Sequence, residues 1–377
     1  MRRIARTSIA VTSVALVALT ACSSKSSTPP AASSPAGGTS SSAAAAGGFA
    51  KDALIGVALP AKTSENWVLA GGLYTDDLTK AGFKPDVQYA AATGTVADQQ
   101  AQISALVTKG AKVIIIGAED GSQLGTQLAA AKAAGVIIIA HDRLILGTPN
   151  VDYYVAYDNR KVGQLQGQAL LDGMKAKKAT GPYTIELFAG SPTDANAKVF
   201  FDGAMDVLQP AITAGTVVVG SGQKDFKQVT TDGWKPENSQ RRMDALITST
   251  YSSKTLDGVL SPNDTLARSI IASVKSAGKA IPVITGQDSE VESIKSIIAG
   301  EQYSTINKDT RALVAQVVKM VGQLQAGTTP DVNDTKSYNN GVKVVPAFLL
   351  APAIVTKDNI KTAYATDPKL NPIANGG

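Results

Sequence analysis

The chain has 377 residues, 18% of them charged and 44% hydrophobic, with a formal net charge of +5. Arg2, Arg3 and Arg6 at the N-terminus account for three of those charges and leave +2 for the rest, which excludes the strongly basic surface that a nucleic-acid partner selects. A single cysteine excludes a disulfide framework and a cysteine-based metal site.

Residues 1–21 read as an export signal, because the three arginines precede an apolar run over residues 9–18 that is too short to span a bilayer. The run closes with Leu19-Thr20-Ala21-Cys22, which resembles the bacterial lipoprotein signal. That resemblance implies cleavage before Cys22 and a diacylglycerol on its thiol; the plain alternative is a stray free cysteine. Residues 22–50 follow as a stretch dominated by Ser, Ala, Gly, Pro and Thr. Without apolar periodicity it cannot offset the entropy of ordering, and it is expected to be a flexible tether. No later stretch has the length and apolarity of a membrane span.

From residue 51 onward one phrase recurs: an amphipathic helical stretch, a glycine where the helix should stop, then a short run rich in Val and Ile. Gly82, Gly110, Gly135, Gly278 and Gly300 occupy the stop position, which suits the left-handed conformation that ends helices. The expected strands cover residues 54–59, 112–116, 136–140, 183–188, 257–260, 281–285 and 302–306. Their apolar residues are continuous rather than alternating, as in strands covered on both faces. Alternating β and α units predict doubly wound α/β architecture with parallel sheets and right-handed crossovers. Ligands of such sheets bind beyond the carboxyl ends of the strands.

The ends of six of those runs, all but 112–116, are polar. Asn66 and Trp67 follow the first strand, Asp142 and Arg143 the run of residues 136–140, and Asp194 and Asn196 the run ending near residue 188. Later ends supply Asn263, Asp288 and Lys308; Trp234 stands in a separate polar loop. Carboxylate, amide and guanidinium groups make paired hydrogen bonds to adjacent hydroxyls, and indoles cover flat apolar faces. The set therefore suits a polyhydroxylated ring. Each residue also has an ordinary explanation. Asp264, Asp309 and Asn66 stand where helix N-caps belong, Asp142-Arg143 could be a turn ion pair, and Trp234 could brace its loop.

Several phrases are specific enough to name a family. Ala140-His141-Asp142-Arg143-Leu144-Ile145, Tyr157-Asp158-Asn159, Gly190-Ser191-Pro192-Thr193-Asp194-Ala195-Asn196, Ser261-Pro262-Asn263-Asp264 and Gly286-Gln287-Asp288 together resemble the periplasmic sugar-binding proteins of ABC importers, of the type I periplasmic-binding-protein fold. The likeness is strongest to the xylose-binding and multiple-monosaccharide-binding branch. It implies two doubly wound lobes joined by a three-stranded hinge, with crossings near Asp158, Lys308 and Pro346. The lobes would be residues 51–158 plus 309–345 and residues 159–308 plus 346–365, leaving 366–377 as a C-terminal tail.

The resemblance implies that Trp67 and Trp234 wall the sugar and that Asp142 and Arg143 bind hydroxyls from the first lobe. Asp194, Asn196, Asn263 and Asp288 would face them, with Lys308 at a crossing. The family's Arg-Trp pair is Asn66-Trp67 here, a departure that implies a changed preference for hydroxyl or anomer. The expected protein is a monomeric, lipid-anchored extracytoplasmic receptor that hands an aldose to a membrane permease with its cytoplasmic ATPase. No cofactor, metal or catalytic residue is expected. A sugar sensor that shows its closed form to a receptor is the alternative. A secreted carbohydrate-active enzyme is a weaker one, because the carboxylates lack a recognisable nucleophile elbow or phosphate loop beside them.

Overall fold

The computed structural model describes residues 48–62, 64–91 and 96–376. The export signal, Cys22 and the tether up to residue 47 lie outside the described residues. Among the described residues no helix is long and apolar enough to cross a membrane.

The first lobe alternates β1 (Leu54–Leu59), α1 (Glu65–Lys80), β2 (Lys84–Tyr89), α2 (Val96–Thr108), β3 (Val113–Ile116), α3 (Gly125–Ala133), β4 (Ile137–His141) and β5 (Tyr153–Tyr157). The chain then passes to the second lobe with α4 (Asn159–Lys177), β6 (Tyr183–Leu187), α5 (Ala195–Thr213), β7 (Val217–Val219), a single turn α6 (Phe226–Val229) and α7 (Pro236–Ser249). It continues through β8 (Gly258–Leu260), α8 (Asp264–Ser276), β9 (Val283–Ile284), α9 (Val291–Ala299) and β10 (Ser304–Asn307). The last part holds α10 (Thr310–Gln325), β11 (Ala347–Leu350), β12 (Ala353–Thr356), α11 (Ile360–Ala363) and α12 (Leu370–Ala374).

Parallel pairing orders the first sheet β2-β1-β3-β4-β5-β11 and the second β7-β6-β8-β9, while β10 and β12 form an antiparallel pair. Helices cover both faces of the first sheet, which explains the unbroken apolar runs of β3 and β4. On one face Ile103, Leu106 and Leu128 of α2 and α3 pack with Ile114, Ile116 and Ile138. On the other, Tyr74 and Leu78 of α1 and Val314 and Val317 of α10 pack with Ile55, Val57 and Ile115. Burial of each such side chain contributes about 1.5–3 kcal/mol before the entropy of ordering is set against it. The second sheet repeats the plan, with Leu170 and Leu208 of α4 and α5 on one face and Met243, Ile247 and Ile270 of α7 and α8 on the other. The glycine stops behave as expected: Gly82 has φ 91° and Gly300 φ 77°.

Three passages join the lobes: Asp158 between β5 and α4, Lys308-Asp309 between β10 and α10, and Ala351-Pro352 between β11 and β12. Neighbouring passages are tied together. The amide of Asp158 donates to the Leu350 carbonyl (2.9 Å) and the Tyr157 hydroxyl to the Asp309 carbonyl (3.0 Å). The third crossing therefore lies later than the expected position near Pro346. Residues 347–350 belong to the first lobe, because Ala347–Leu350 pairs in parallel with Tyr154 to Tyr157. The expected tail from residue 366 is also corrected. It contains α12, whose Leu370 and Ala374 are buried with Ile294 and Ile297 of α9.

Candidate functional site

The carboxyl ends of β1 and β4 in one lobe and of β6, β8, β9 and β10 in the other surround a cavity of about 700 Å³. All ten residues singled out from the sequence line it: Asn66, Trp67, Asp142, Arg143, Asp194, Asn196, Trp234, Asn263, Asp288 and Lys308.

Trp67 lies in the first turn of α1, a helix capped by the Ser64 hydroxyl rather than by Asn66. Its ring is only 8% exposed and stands edge-on to the His141 imidazole, with centroids 5.9 Å apart. Gly117 makes room for it, since a Cβ there would come within 2.9 Å of the indole. Burial holds the His141 pKa down at about 4. The ring is therefore neutral at physiological pH, with Nδ1 2.8 Å from the Tyr74 hydroxyl.

After β4 the backbone turns at Asp142 with φ 62°, a conformation that side chains with a Cβ disfavour. Three hydrogen bonds hold it. The Asp142 amide donates to the Val155 carbonyl (2.9 Å), and its carbonyl accepts from the Tyr154 hydroxyl (2.6 Å) and from Asn196 Nδ2 (2.8 Å). Arg143 donates Nη1 to the Ala118 carbonyl (3.0 Å) and sets Nε 3.0 Å from Asp194 Oδ2 in the opposite lobe. Its guanidinium carbon is 5.3 Å from the Trp67 ring.

From the second lobe, Asp194 caps α5 by accepting from the Asn196 amide (2.9 Å) and also accepts from Trp234 Nε1 (3.1 Å). Burial raises its pKa and the Arg143 charge opposes that rise. Trp234, itself at φ 56°, lies over Gly190, where any side chain would strike the indole. Asn196 gives its amide to Asp142 and accepts from the Tyr154 hydroxyl at 3.2 Å, so its side chain joins the lobes. Asn263 caps α8 through the Leu266 amide (3.0 Å).

Asp288 has φ 98°; its carbonyl accepts from Asn66 Nδ2 across the cleft (3.2 Å) and its carboxylate lies 3.0 Å from Lys308 Nζ. Three of the four non-glycine residues with positive φ among the described residues thus line this cavity, and such conformations concentrate at functional sites.

The expected caps divide. Asp309 does cap α10, through the Arg311 amide. Asp264 does not cap α8; it is fully buried and accepts from Gln302 Nε2 (2.7 Å), Thr305 Oγ1 (2.9 Å) and the Glu290 amide (3.0 Å), beneath the loop that carries Asp288. Burial and the nearby Glu290 and Asp288 charges push its pKa well up.

Tyr157 and Gln287, which stand in the quoted phrases but were not singled out, also line the cavity, and so does Phe200, which did not emerge from the strand-end pattern. Phe200 lies inside α5, where an aromatic reads as core, yet Lys308 Nζ stands 5.3 Å from its ring. Among the described residues no group of three or more His, Cys, Asp or Glu side chains is placed to hold a metal ion.

Two doubly wound lobes, three passages between them and a polar cleft at the facing strand ends define a two-lobed binding protein of the type I periplasmic class. Residues 55–329 match the family described as periplasmic binding protein domain, and the chain belongs to that family. It is 48% identical to the multiple sugar-binding periplasmic receptor ChvE of Rhizobium radiobacter, over 82% of this chain and 89% of that one. Identity to the D-xylose-binding periplasmic protein of Escherichia coli (strain K12) is 34%, over 84% and 91%. Among solved structures, an ABC transporter solute-binding protein from Clostridium phytofermentans with bound β-D-glucose is similar at a TM-score of 0.79 and 40% identity, covering 82% of this chain and 96% of that chain.

Proposed function

We propose that this chain is the extracytoplasmic receptor of an ABC sugar importer, binding an aldose monosaccharide between its lobes and presenting it to a permease. The observation that carries this reading is the cleft itself. Two indoles and a set of hydrogen-bonding side chains from both lobes surround one cavity, which matches a ring with apolar faces and a hydroxylated edge. The relatives' names and the glucose bound to the similar solved structure support the same class of ligand. Trp67 and Trp234 would wall the ring. Asn66, Asp142, Arg143, Asp194, Asn263, Asp288 and Lys308 would reach its hydroxyls, and Asn196 would hold the lobes around it.

The receptor acts by binding rather than by catalysis. Of the three carboxylates among the singled-out residues, Asp194 and Asp288 are each ion-paired and only Asp142 is not, whereas glycoside cleavage requires two working carboxyl groups. Titration calorimetry of the chain with glucose, galactose, xylose, arabinose, ribose and fucose tests the reading. Saturable binding of one or more is expected, and silence across the set overturns it.

Anchoring through Cys22 and work as a monomer at the outer face of the cytoplasmic membrane complete the proposal. Cys22→Ala is expected to release the protein from membranes and to abolish labelling by a radioactive fatty acid; labelling that persists refutes the anchor. A sensory role would use the same closed surface, and a receptor partner captured by the sugar-loaded form in place of a permease would support it.

A further inference from the structure

A second cavity, of about 330 Å³, opens at the opposite end of the second sheet from the cleft, beside the amino ends of β8 and β9. It shares no lining residue with the cleft. Its interior is apolar: Met174 of α4, Met243 and Ile247 of α7 and Val274 of α8 line it, all buried, with Leu256 and Ile281 from the loops that lead into β8 and β9. Two of the six are methionines, whose unbranched chains reshape readily around an aliphatic guest.

The mouth is cationic. Lys177, Lys178, Lys254 and Lys279 line it against one carboxylate, that of Asp257. Lys177 Nζ donates to the Ile281 carbonyl (3.1 Å), and Lys178 Nζ donates to the Pro182 carbonyl (3.0 Å) and lies 3.4 Å from Asp257 Oδ2. Lys254 and Lys279 stand on loops beyond the ends of α7 and α8, and among the described residues no hydrogen bond or ion pair engages either ammonium group. The C-terminal ends of α4, α7 and α8 meet at this cavity and contribute roughly half a negative charge each. Together with Asp257 they leave four ammonium groups in excess, so the mouth keeps a net positive charge.

We propose that this cavity is a second binding site, which takes a medium-chain aliphatic carboxylate: the chain enters among the methionines and branched side chains, and the carboxylate meets Lys254 and Lys279 at the mouth. A sugar or an inorganic anion gains nothing from the apolar interior, and the cationic mouth repels an alkylammonium. The site stands whether or not the cleft receives a sugar.

The test is titration calorimetry of the full chain at about pH 7.5, where carboxylates are ionised and lysines protonated. The ligands are butanoate, octanoate and octylammonium. Octanoate is expected to saturate at one per chain and to bind at least about tenfold more tightly than either of the others. Added D-glucose should not displace it. In the double variant Lys254→Glu/Lys279→Glu, which leaves the apolar interior intact, octanoate should bind at least about tenfold more weakly than to the native chain. Octanoate that does not saturate, octylammonium that binds as tightly, or displacement by D-glucose overturns the proposal. So does an unchanged octanoate affinity in the double variant, once circular dichroism has shown that variant to be folded.

Discussion

Asp142 carries two features that sequence shows separately, if at all. Its carboxylate and its place after an apolar run mark it as a site residue, but its left-handed backbone is visible only once Val155, Tyr154 and Asn196 are seen to hold it. Asp142→Gly should relieve that conformation and raise thermal stability by up to about 1 kcal/mol while sugar affinity falls; a large loss of stability would show that the backbone is not strained. Trp67 likewise reads as a ring wall from its polar surroundings, yet it is also part of the first lobe's core. Trp67→Ala should cost about 3 kcal/mol of stability as well as binding, and denaturant titration beside calorimetry separates the two losses.

His141 gives a pH dependence with a definite sign. Its folded pKa of about 4 lies below the ordinary 6.5, so the unfolded chain takes up a proton first as pH falls. The stability this group contributes is present above pH 6.5 and is lost as pH falls toward about 4, a change of about 3 kcal/mol. The buried carboxyls of Asp194, Asp264 and Glu290 have raised pKa values and slope the opposite way, losing their contribution as pH rises. The measurable quantity is thus the difference between the native chain and His141→Gln. That difference should shrink between pH 6.5 and pH 4, and a constant difference would contradict the assignment.

Among the elements, those whose both faces are covered were legible. β3 and β4 announce themselves as Val113-Ile114-Ile115-Ile116 and Ile137-Ile138-Ile139-Ala140 because nothing polar can face a helix layer. The edge strand β2 escaped notice because every one of its residues keeps some exposure and its sequence, Lys-Pro-Asp-Val-Gln-Tyr, is mixed. The third crossing was misplaced for another reason. Residues 347–356 form nearly one apolar run around Pro352, and apolarity cannot say that its first part joins β5 while its second joins β10.

The C-terminal segment carries a further consequence at this scale. It packs on α9 of the second lobe through α12, yet Lys369 pairs with Glu65 of α1 (2.7 Å) and Asp367 with Arg311 of α10 (2.7 Å), both in the first lobe. It therefore straps the two lobes. Because the Lys369–Glu65 pair is exposed, Lys369→Ala should weaken sugar binding by no more than about fivefold, and the effect should vanish in high salt. Stopped-flow binding at two ionic strengths checks this; a salt-independent effect would assign Lys369 another role.

At the scale of the molecule, both the pattern of alternating units and the family resemblance led to two doubly wound lobes, and the strand-end rule brought nine residues from distant parts of the chain to one cavity, where Trp234 of a separate loop joins them. What no pattern could show is that Arg143, Asn66 and Asn196 bond across the cleft to the opposite lobe. Those bonds favour the closed arrangement together with the sugar, so loss of one should weaken binding by loosening closure. Small-angle scattering should show a smaller sugar-induced contraction in Asn196→Ala than in the native chain; an equal contraction would leave Asn196 a role within its own lobe only.

The late β11 has one more effect, on timing. The first sheet is not complete until Ala347 meets Tyr154, and the β10 edge is not covered until β12 follows. A ribosome releases such a chain N-terminus first, so neither lobe can finish before the last tenth or so of the polypeptide emerges, and pairings this remote in sequence form slowly. For a receptor exported across a membrane, as proposed here, that delay is a grace period: the strand that would lock the fold arrives last.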